Sequence, residues 1–143
     1  MTARRPFPAT VPVALALAAL IGCGRGIERV SVAGAVSLDG QPLAEGSISF
    51  VPLAGGPSAG CQISGGRFSI PRAQGPGPGR YRVEIVAFEE TGRQVEDDDV
   101  PGATQTLTRQ VIPPRYNERS TLEVELGQDG ANALEFAIAR DAS

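Results

Sequence analysis

The densest chemistry-bearing stretch of the chain is Glu96-Asp97-Asp98-Asp99, with Glu89 and Glu90 a short way upstream. Carboxylate oxygens are what calcium prefers, about six to eight per ion. The run lacks the Asp-x-Asp-x-Asp-Gly spacing that wraps an ion, so it reads first as a solvated charge run. It becomes a calcium site only if the loop folds back and Glu89 and Glu90 add ligands. Asp39, Glu84, Glu123, Glu125 and Asp129 are the carboxylates from which an acid–base pair for glycoside hydrolysis would be drawn. Asp39 and Asp129 each precede a glycine, the setting in which an Asx side chain caps a turn. The glutamates alternate with apolar residues, where outward-facing charge is expected, and so small a domain offers no deep cleft to raise a carboxyl pKa. Ser120 and Thr121 have no base to activate them: the chain has no histidine, and its 13 basic residues are all arginine. The same absences remove imidazole metal ligands, Schiff-base chemistry and an ordinary switch near neutral pH. Of the two tyrosines, Tyr81 shares parity with Val83 and Ile85 and belongs to the core. Tyr116, after Pro113-Pro114, is the better exposed and is the candidate contact for a ligand such as a sugar ring, in competition with a packing role.

The two cysteines, Cys23 and Cys61, differ in setting. Cys23 ends an apolar run from Val11 to Ile21 that is preceded by Arg4 and Arg5, and Gly22 stands just before it. A positive start, a short apolar middle and small residues at the cut are the layout of a secretory signal, too short for a permanent span. Leu20-Ile21-Gly22-Cys23 resembles the lipobox of bacterial lipoproteins. That resemblance implies cleavage between Gly22 and Cys23 and a diacylglyceryl thioether on Cys23, which becomes the new N-terminus. A cut elsewhere would instead leave Cys23 free to pair with Cys61 in an oxidising compartment. With Cys23 lipidated, Cys61 is a lone thiol; its neighbours Ala59 and Ile63 share its parity and point it toward the core.

The expected organisation is therefore a signal peptide over 1–22, a lipidated tether over 23–28 and one domain over 29–140. A mature chain from residue 23 carries 11 arginines against 16 acids, a balance of −5. An acidic surface without a basic patch argues against nucleic acid as a partner and against electrostatic adhesion to anionic lipid, leaving the acyl chains as the anchor.

The elements that must position these residues follow a period of two. Val30, Val32, Gly34, Val36 and Leu38 share a face, and Asp39-Gly40 turns the chain. Ile48 and Phe50 make a second strand that ends at Pro52 or lies on a sheet edge, because proline cannot donate to a ladder. Ala59, Cys61 and Ile63 form a third, Ser64-Gly65-Gly66 a tight turn, and Phe68 and Ile70 the return. Tyr81, Val83, Ile85 and Ala87 form the clearest strand, with Arg82 and Glu84 outside and free to meet charges on a neighbour. From Phe88 to about Val111 the alternation fails, and the reading is a long polar loop with weak β character over Thr104–Val111. Ile112 to Asn117 is rigid and extended around its two prolines. Leu122, Val124 and Leu126, then Leu134, Phe136 and Ile138, complete about seven strands. No stretch has a helical period, so the fold class is all-β.

Val32 to Pro52 resembles the opening hairpin of carboxypeptidase-regulatory-like domains, which are transthyretin-like seven-strand Greek-key β-sandwiches frequent in small bacterial lipoproteins. Gly65-Gly66-Arg67-Phe68, Pro78-Gly79-Arg80-Tyr81-Arg82-Val83 and the segment from Ile112 to Leu122 agree with later pieces of that pattern. Cys61-Gln62-Ile63-Ser64 departs from it, where relatives place an acidic, threonine-rich turn. The resemblance implies a non-catalytic cell-envelope lipoprotein, held to a membrane by its lipid and acting as a structural or protein-interaction module. Its partner would be an envelope protein or polysaccharide. Gly24 after the cysteine, rather than aspartate, fits an outer-membrane or cell-surface location better than inner-membrane retention. The alternative is a carbohydrate- or calcium-binding envelope module that uses the 89–111 loop and Tyr116. No cofactor is expected beyond the covalent lipid, with calcium as the one addition.

Overall fold

The computed structural model describes residues 26–129 and 131–140. Cys23, Gly22 and the proposed signal segment lie outside them. Among the described residues the regular structure is strand, apart from single 3₁₀ turns at Arg72–Gln74 and Pro114–Tyr116. The strands are β1 (Ser31–Leu38), β2 (Gln41–Pro42), β3 (Glu45–Pro52), β4 (Ala59–Ser64), β5 (Arg67–Ile70), β6 (Gly79–Val86), β7 (Phe88–Glu96), β8 (Thr104–Gln110), β9 (Glu123–Leu126) and β10 (Ala131–Ile138). The seven expected strands are all present.

The main sheet has the order β10-β1-β5-β4-β3-β6-β9, with β2 paired to β1. Its ladders are antiparallel except β1 with β10, which run parallel from Ser31↔Ala131 to Leu38↔Ile138. β4 and β5 meet only at Ser64↔Arg67, beside the Gly65-Gly66 turn. The sheet curls at that point and turns its apolar faces inward. Both glycines of the turn have positive φ (56° and 76°), as do Asp39 (52°) and Gly40 (81°) in the turn between β1 and β2. That is the backbone twist two-residue hairpins require.

The core draws Val32, Val36 and Leu38 from β1, Phe68 and Ile70 from β5, and Phe136 and Ile138 from β10. Against them stand Ile48 and Phe50 from β3, Ile63 from β4, Tyr81, Val83 and Ile85 from β6 and Leu126 from β9. Three phenylalanines link these groups, with ring centroids 6.1 Å apart for Phe50–Phe68 and 6.2 Å for Phe68–Phe136. Gly34 lies in register between Phe68 and Leu134. A Cβ there would stand 2.0 Å from the Leu134 carbonyl oxygen and 2.8 Å from Phe68 Cζ. The inward position of β1 is therefore empty so that the Phe68 ring can occupy it.

Two expectations need correction. Residues 88–110 are not a loop: β7 and β8 form a separate antiparallel ribbon, with an irregularity between Glu90 and Gln94. Nearly all of its residues are exposed on both faces. Alternation of apolar and polar residues appears only when one face is buried, so the usual strand signal is missing here. Arg82 and Glu84, two residues apart on one face, pair with each other (Nη2 to Oε1 2.7 Å) rather than across strands. The cross-strand pair is Arg80 with Glu123, at 2.6 Å.

The occupancy of the Gly34 position by Phe68 predicts that Gly34→Val lowers the urea-unfolding free energy by about 3 kcal/mol, the upper range for an overpacked core. Ala35→Val, on the opposite face of the same strand, changes it by no more than about 0.5 kcal/mol. Equal effects at the two positions would contradict this packing.

Candidate functional site

Strand direction sorts the molecule into two ends. Val30 is fully buried, and its N–H donates to the Pro76 carbonyl at 2.9 Å. Arg29 Nη1 donates to Gly75 O at 3.0 Å, and Gln128 Nε2 to Glu28 Oε2 at 3.2 Å. These contacts pin the chain where it enters β1. Because β1 and β10 are parallel, both finish at the other end, where β6 also ends and the ribbon begins. Arg140, just past β10, joins the parts there: its Nη2 is 3.0 Å from Glu89 Oε1 of the ribbon and its Nε is 3.7 Å from Asp39 Oδ2. Its backbone N–H also donates to Asp39 Oδ1 at 2.9 Å.

The segment 110–122 builds the rest of this end. The Gln110 side-chain oxygen accepts from the N–H of Ala87 (3.1 Å) and of Ile112 (3.2 Å), and Val111 N–H donates to Ala87 O at 2.9 Å. The ribbon is thereby clamped at its base. Pro113 stays extended and Pro114 opens the 3₁₀ turn, where its missing N–H costs nothing. Asn117 is buried and donates from Nδ2 to Ile112 O at 2.9 Å. Ser120, also buried, donates its hydroxyl to Val83 O and accepts from Leu122 N–H at 3.2 Å. Ser120 is therefore a structural pin between this segment and β6. Its proton is committed to a carbonyl.

Tyr116 is half-buried against the core, not openly displayed. Arg115 covers its ring, with Cζ 4.7 Å from the centroid, and donates from Nη2 to Ala139 O at 2.7 Å. A hydrogen bond with Arg115 is the main reason the Tyr116 phenol ionises below its ordinary pKa; the Ala139 backbone and the guanidinium charge act the same way. Tyr81 is in the core as expected, its hydroxyl donating to Gly77 O at 2.8 Å, and burial pushes its pKa up. Cys61 packs half-buried on the core, and burial raises its thiol pKa, which keeps the reactive thiolate scarce.

The acidic run caps the far tip of the ribbon. Glu96 ends β7, and Asp97, Asp98 and Asp99 lie in the tip connection. Asp97 Oδ1 accepts from Asp99 N–H at 2.9 Å, and Asp97 N–H donates to Ala103 O at 2.9 Å, so this aspartate shapes the turn. Glu89 and Glu90 sit at the other end of β7, far along the strand from the run. Among the described residues, no three acidic, cysteine or histidine side chains gather around a common point. Asp39, Glu84 and Glu123 are each paired with an arginine, while Glu125 and Asp129 are exposed.

Below the ribbon base lies a groove of about 480 Å³ lined by Glu84, Val86, Phe88, Gln110, Ile112, Pro114, Asn117 and Glu118. Sequence reading missed it, along with the clamping roles of Gln110, Asn117 and Arg140. The available signal was Phe88, a large apolar residue stranded at the edge of a polar stretch.

The chain matches no protein-family model and no curated protein. One solved structure with some likeness is a 9R-lipoxygenase from Cyanothece PCC8801, at 14% identity over 78% of this chain and 16% of that one, with a TM-score of 0.35. A likeness that low carries no argument about what this chain does.

Two outcomes follow from the geometry. In an alkaline absorbance titration Tyr116 ionises before Tyr81, and Tyr116→Phe removes the earlier step. The depressed Tyr116 pKa adds stability above its unfolded value and loses it as pH falls through the folded value. The raised Tyr81 pKa adds stability below its unfolded value and loses it as pH rises through the folded one. Separately, since the carboxylates at the tip do not converge, the melting temperature should be the same in EDTA and in millimolar calcium. A calcium-dependent rise abolished by Asp98→Asn would mean that they close around an ion.

Proposed function

We propose that this chain is a non-catalytic envelope lipoprotein, tethered through lipidated Cys23 and serving as a structural or protein-interaction module. The finer fold reading goes with it: a transthyretin-like, Greek-key β-sandwich of the carboxypeptidase-regulatory-like kind. The single β4–β5 pair, across which two apolar strand groups close, favours that reading. The observation that carries the function is polarity of layout. The chain enters the domain at one end, and the ribbon, Arg140 and the 110–122 segment stand at the other. A lipid at the N-terminal side would hold the first end near a bilayer and present the second to the periplasm or the exterior. No helix among the described residues is long and apolar enough to cross a membrane, which is compatible with anchoring by acyl chains.

The candidate reactive groups support a binding role over catalysis. The serine is spent on a carbonyl, the strand carboxylates are paired with arginines or stand exposed, and the thiol is half-buried. What the upper end offers is shape, exposed apolar surface and negative charge.

Intact-mass spectrometry of the chain expressed in a lipoprotein-processing bacterium tests the anchor. The expected product begins at Cys23 and carries a diacylglyceryl group, and Cys23→Ser accumulates as uncut precursor in the inner membrane. An unmodified thiol at residue 23, or a mature N-terminus elsewhere, would refute the lipoprotein reading.

A further inference from the structure

The groove under the ribbon base combines an exposed aromatic, apolar neighbours and carboxylates. Of the four phenylalanines among the described residues, Phe50, Phe68 and Phe136 are buried, whereas Phe88 is 59% exposed. A contiguous apolar patch, unlike a singly exposed side chain, is a candidate contact surface. Phe88 shares the groove with Val86, Ile112 and Pro114, an apolar floor of a size that receives one or two side chains. The walls are already held. Gln110 ties Ala87 to Ile112, and Asn117 ties the 3₁₀ turn back to Ile112, so little ordering cost remains for a ligand to meet.

Charge narrows the occupant. The groove lining contains two carboxylates, Glu84, which Arg82 already pairs, and Glu118, and no arginine. Glu118 is exposed, with no cation paired to it among the described residues. Glu90 lies two residues beyond Phe88 and therefore on the same face of the ribbon. The ribbon itself holds Glu89, Glu90, Glu96, Asp97, Asp98 and Asp99 against Arg93 and Arg109, a net −4 in a mature chain of −5. Four of these six acids stand at the far tip and Glu89 is paired with Arg140, so the unpaired charge at the groove itself is that of Glu90 and Glu118. Nucleic acid and anionic lipid surfaces are repelled by such a field, and a basic polypeptide is drawn to it.

We propose that the groove formed by Phe88, Val86, Ile112 and Pro114 is the docking site for an extended, basic segment of a partner protein. An apolar side chain of that segment seats on Phe88, and flanking arginine or lysine side chains reach Glu90 and Glu118. The apolar contact supplies affinity, while the carboxylate rim supplies attraction and selects the sign of the partner. This deepens the interaction reading above by naming the partner's chemistry, and it does not require the lipid anchor.

The test is fluorescence anisotropy at physiological salt with the full chain and two labelled pentapeptides, Arg-Leu-Arg-Leu-Arg and Glu-Leu-Glu-Leu-Glu. The basic peptide should bind and the acidic one should not. Phe88→Ser and Glu118→Arg, both at exposed positions, should each weaken binding about tenfold while leaving the urea midpoint unchanged. The combined Asp97→Asn, Asp98→Asn, Asp99→Asn variant should bind within about threefold of wild type, because the tip charges act only at a distance. Binding lost in the tip variant but kept in Phe88→Ser and Glu118→Arg would mean that the acidic run alone attracts the peptide, and would overturn the proposal. So would equal affinity for both peptides, or no affinity for either. None of these outcomes bears on lipidation, which the mass measurement reads separately.

Discussion

The fold depends on closure of a curled sheet around Phe68, with the ring lying where Gly34 has no side chain. Phe50, from the group β4-β3-β6-β9, and Phe136, from the group β10-β1-β5, each reach this ring at about the same centroid separation. The two groups are otherwise joined in the ladder by one residue pair beside the Gly65-Gly66 turn. Aromatic contact through the interior therefore does what hydrogen bonding along the ladder does not. A protein with no tryptophan and few aromatics has little redundancy at such a point. A methyl group at residue 34 would meet both the ring and a neighbouring carbonyl.

That closure also sets the direction of everything attached to it. Parallel pairing of β1 with β10 sends both strands to the same end, and Arg140 then reaches the β1–β2 turn and the ribbon at once. Polar side chains, buried at Asn117 and Ser120 and half-buried at Gln110, do the remaining joinery. Gln110, Asn117 and Ser120 satisfy backbone groups that an irregular segment would otherwise leave unpaired. Buried polar groups without partners are costly, so these side chains specify where the segment lies as well as stabilising it. The ribbon is the opposite case. An isolated two-strand hairpin is marginal in water, and this one is joined to the body chiefly at its base, which leaves both its faces in solvent.

The inner faces of the strands were legible in the chain. Val32, Val36, Ile48, Phe50, Val83, Ile85, Phe136 and Ile138 alternate with polar or small residues and are buried. Asp39-Gly40 and Gly65-Gly66 announced their turns, and Pro52 ended its strand where it should. Tyr81 and Cys61 faced inward as their parity required. The ribbon escaped detection because neither of its faces is buried, and a solvated strand carries no apolar rhythm. Tyr116 is the more exposed of the two tyrosines and packs against the core, as expected, but its cover was not legible, because Arg115, which lies over its ring, is its immediate neighbour in sequence. Adjacent residues in an extended stretch point apart, and only the 3₁₀ turn brings this pair together.

By itself, the amino-acid sequence determined the all-β class, the inward face of each main strand, the tight turns and the lack of histidine- or lysine-based chemistry. These are properties of neighbours a few residues apart, where pleat geometry and glycine or proline dihedrals act directly. The parallel union of first and last strands, the clamp of Gln110, the bridge of Arg140 and the groove beside Phe88 were decided only by the tertiary structure. Each joins residues that are distant in the chain or whose facing depends on how the sheet curls. Local periodicity carries no information about which distant surfaces will meet.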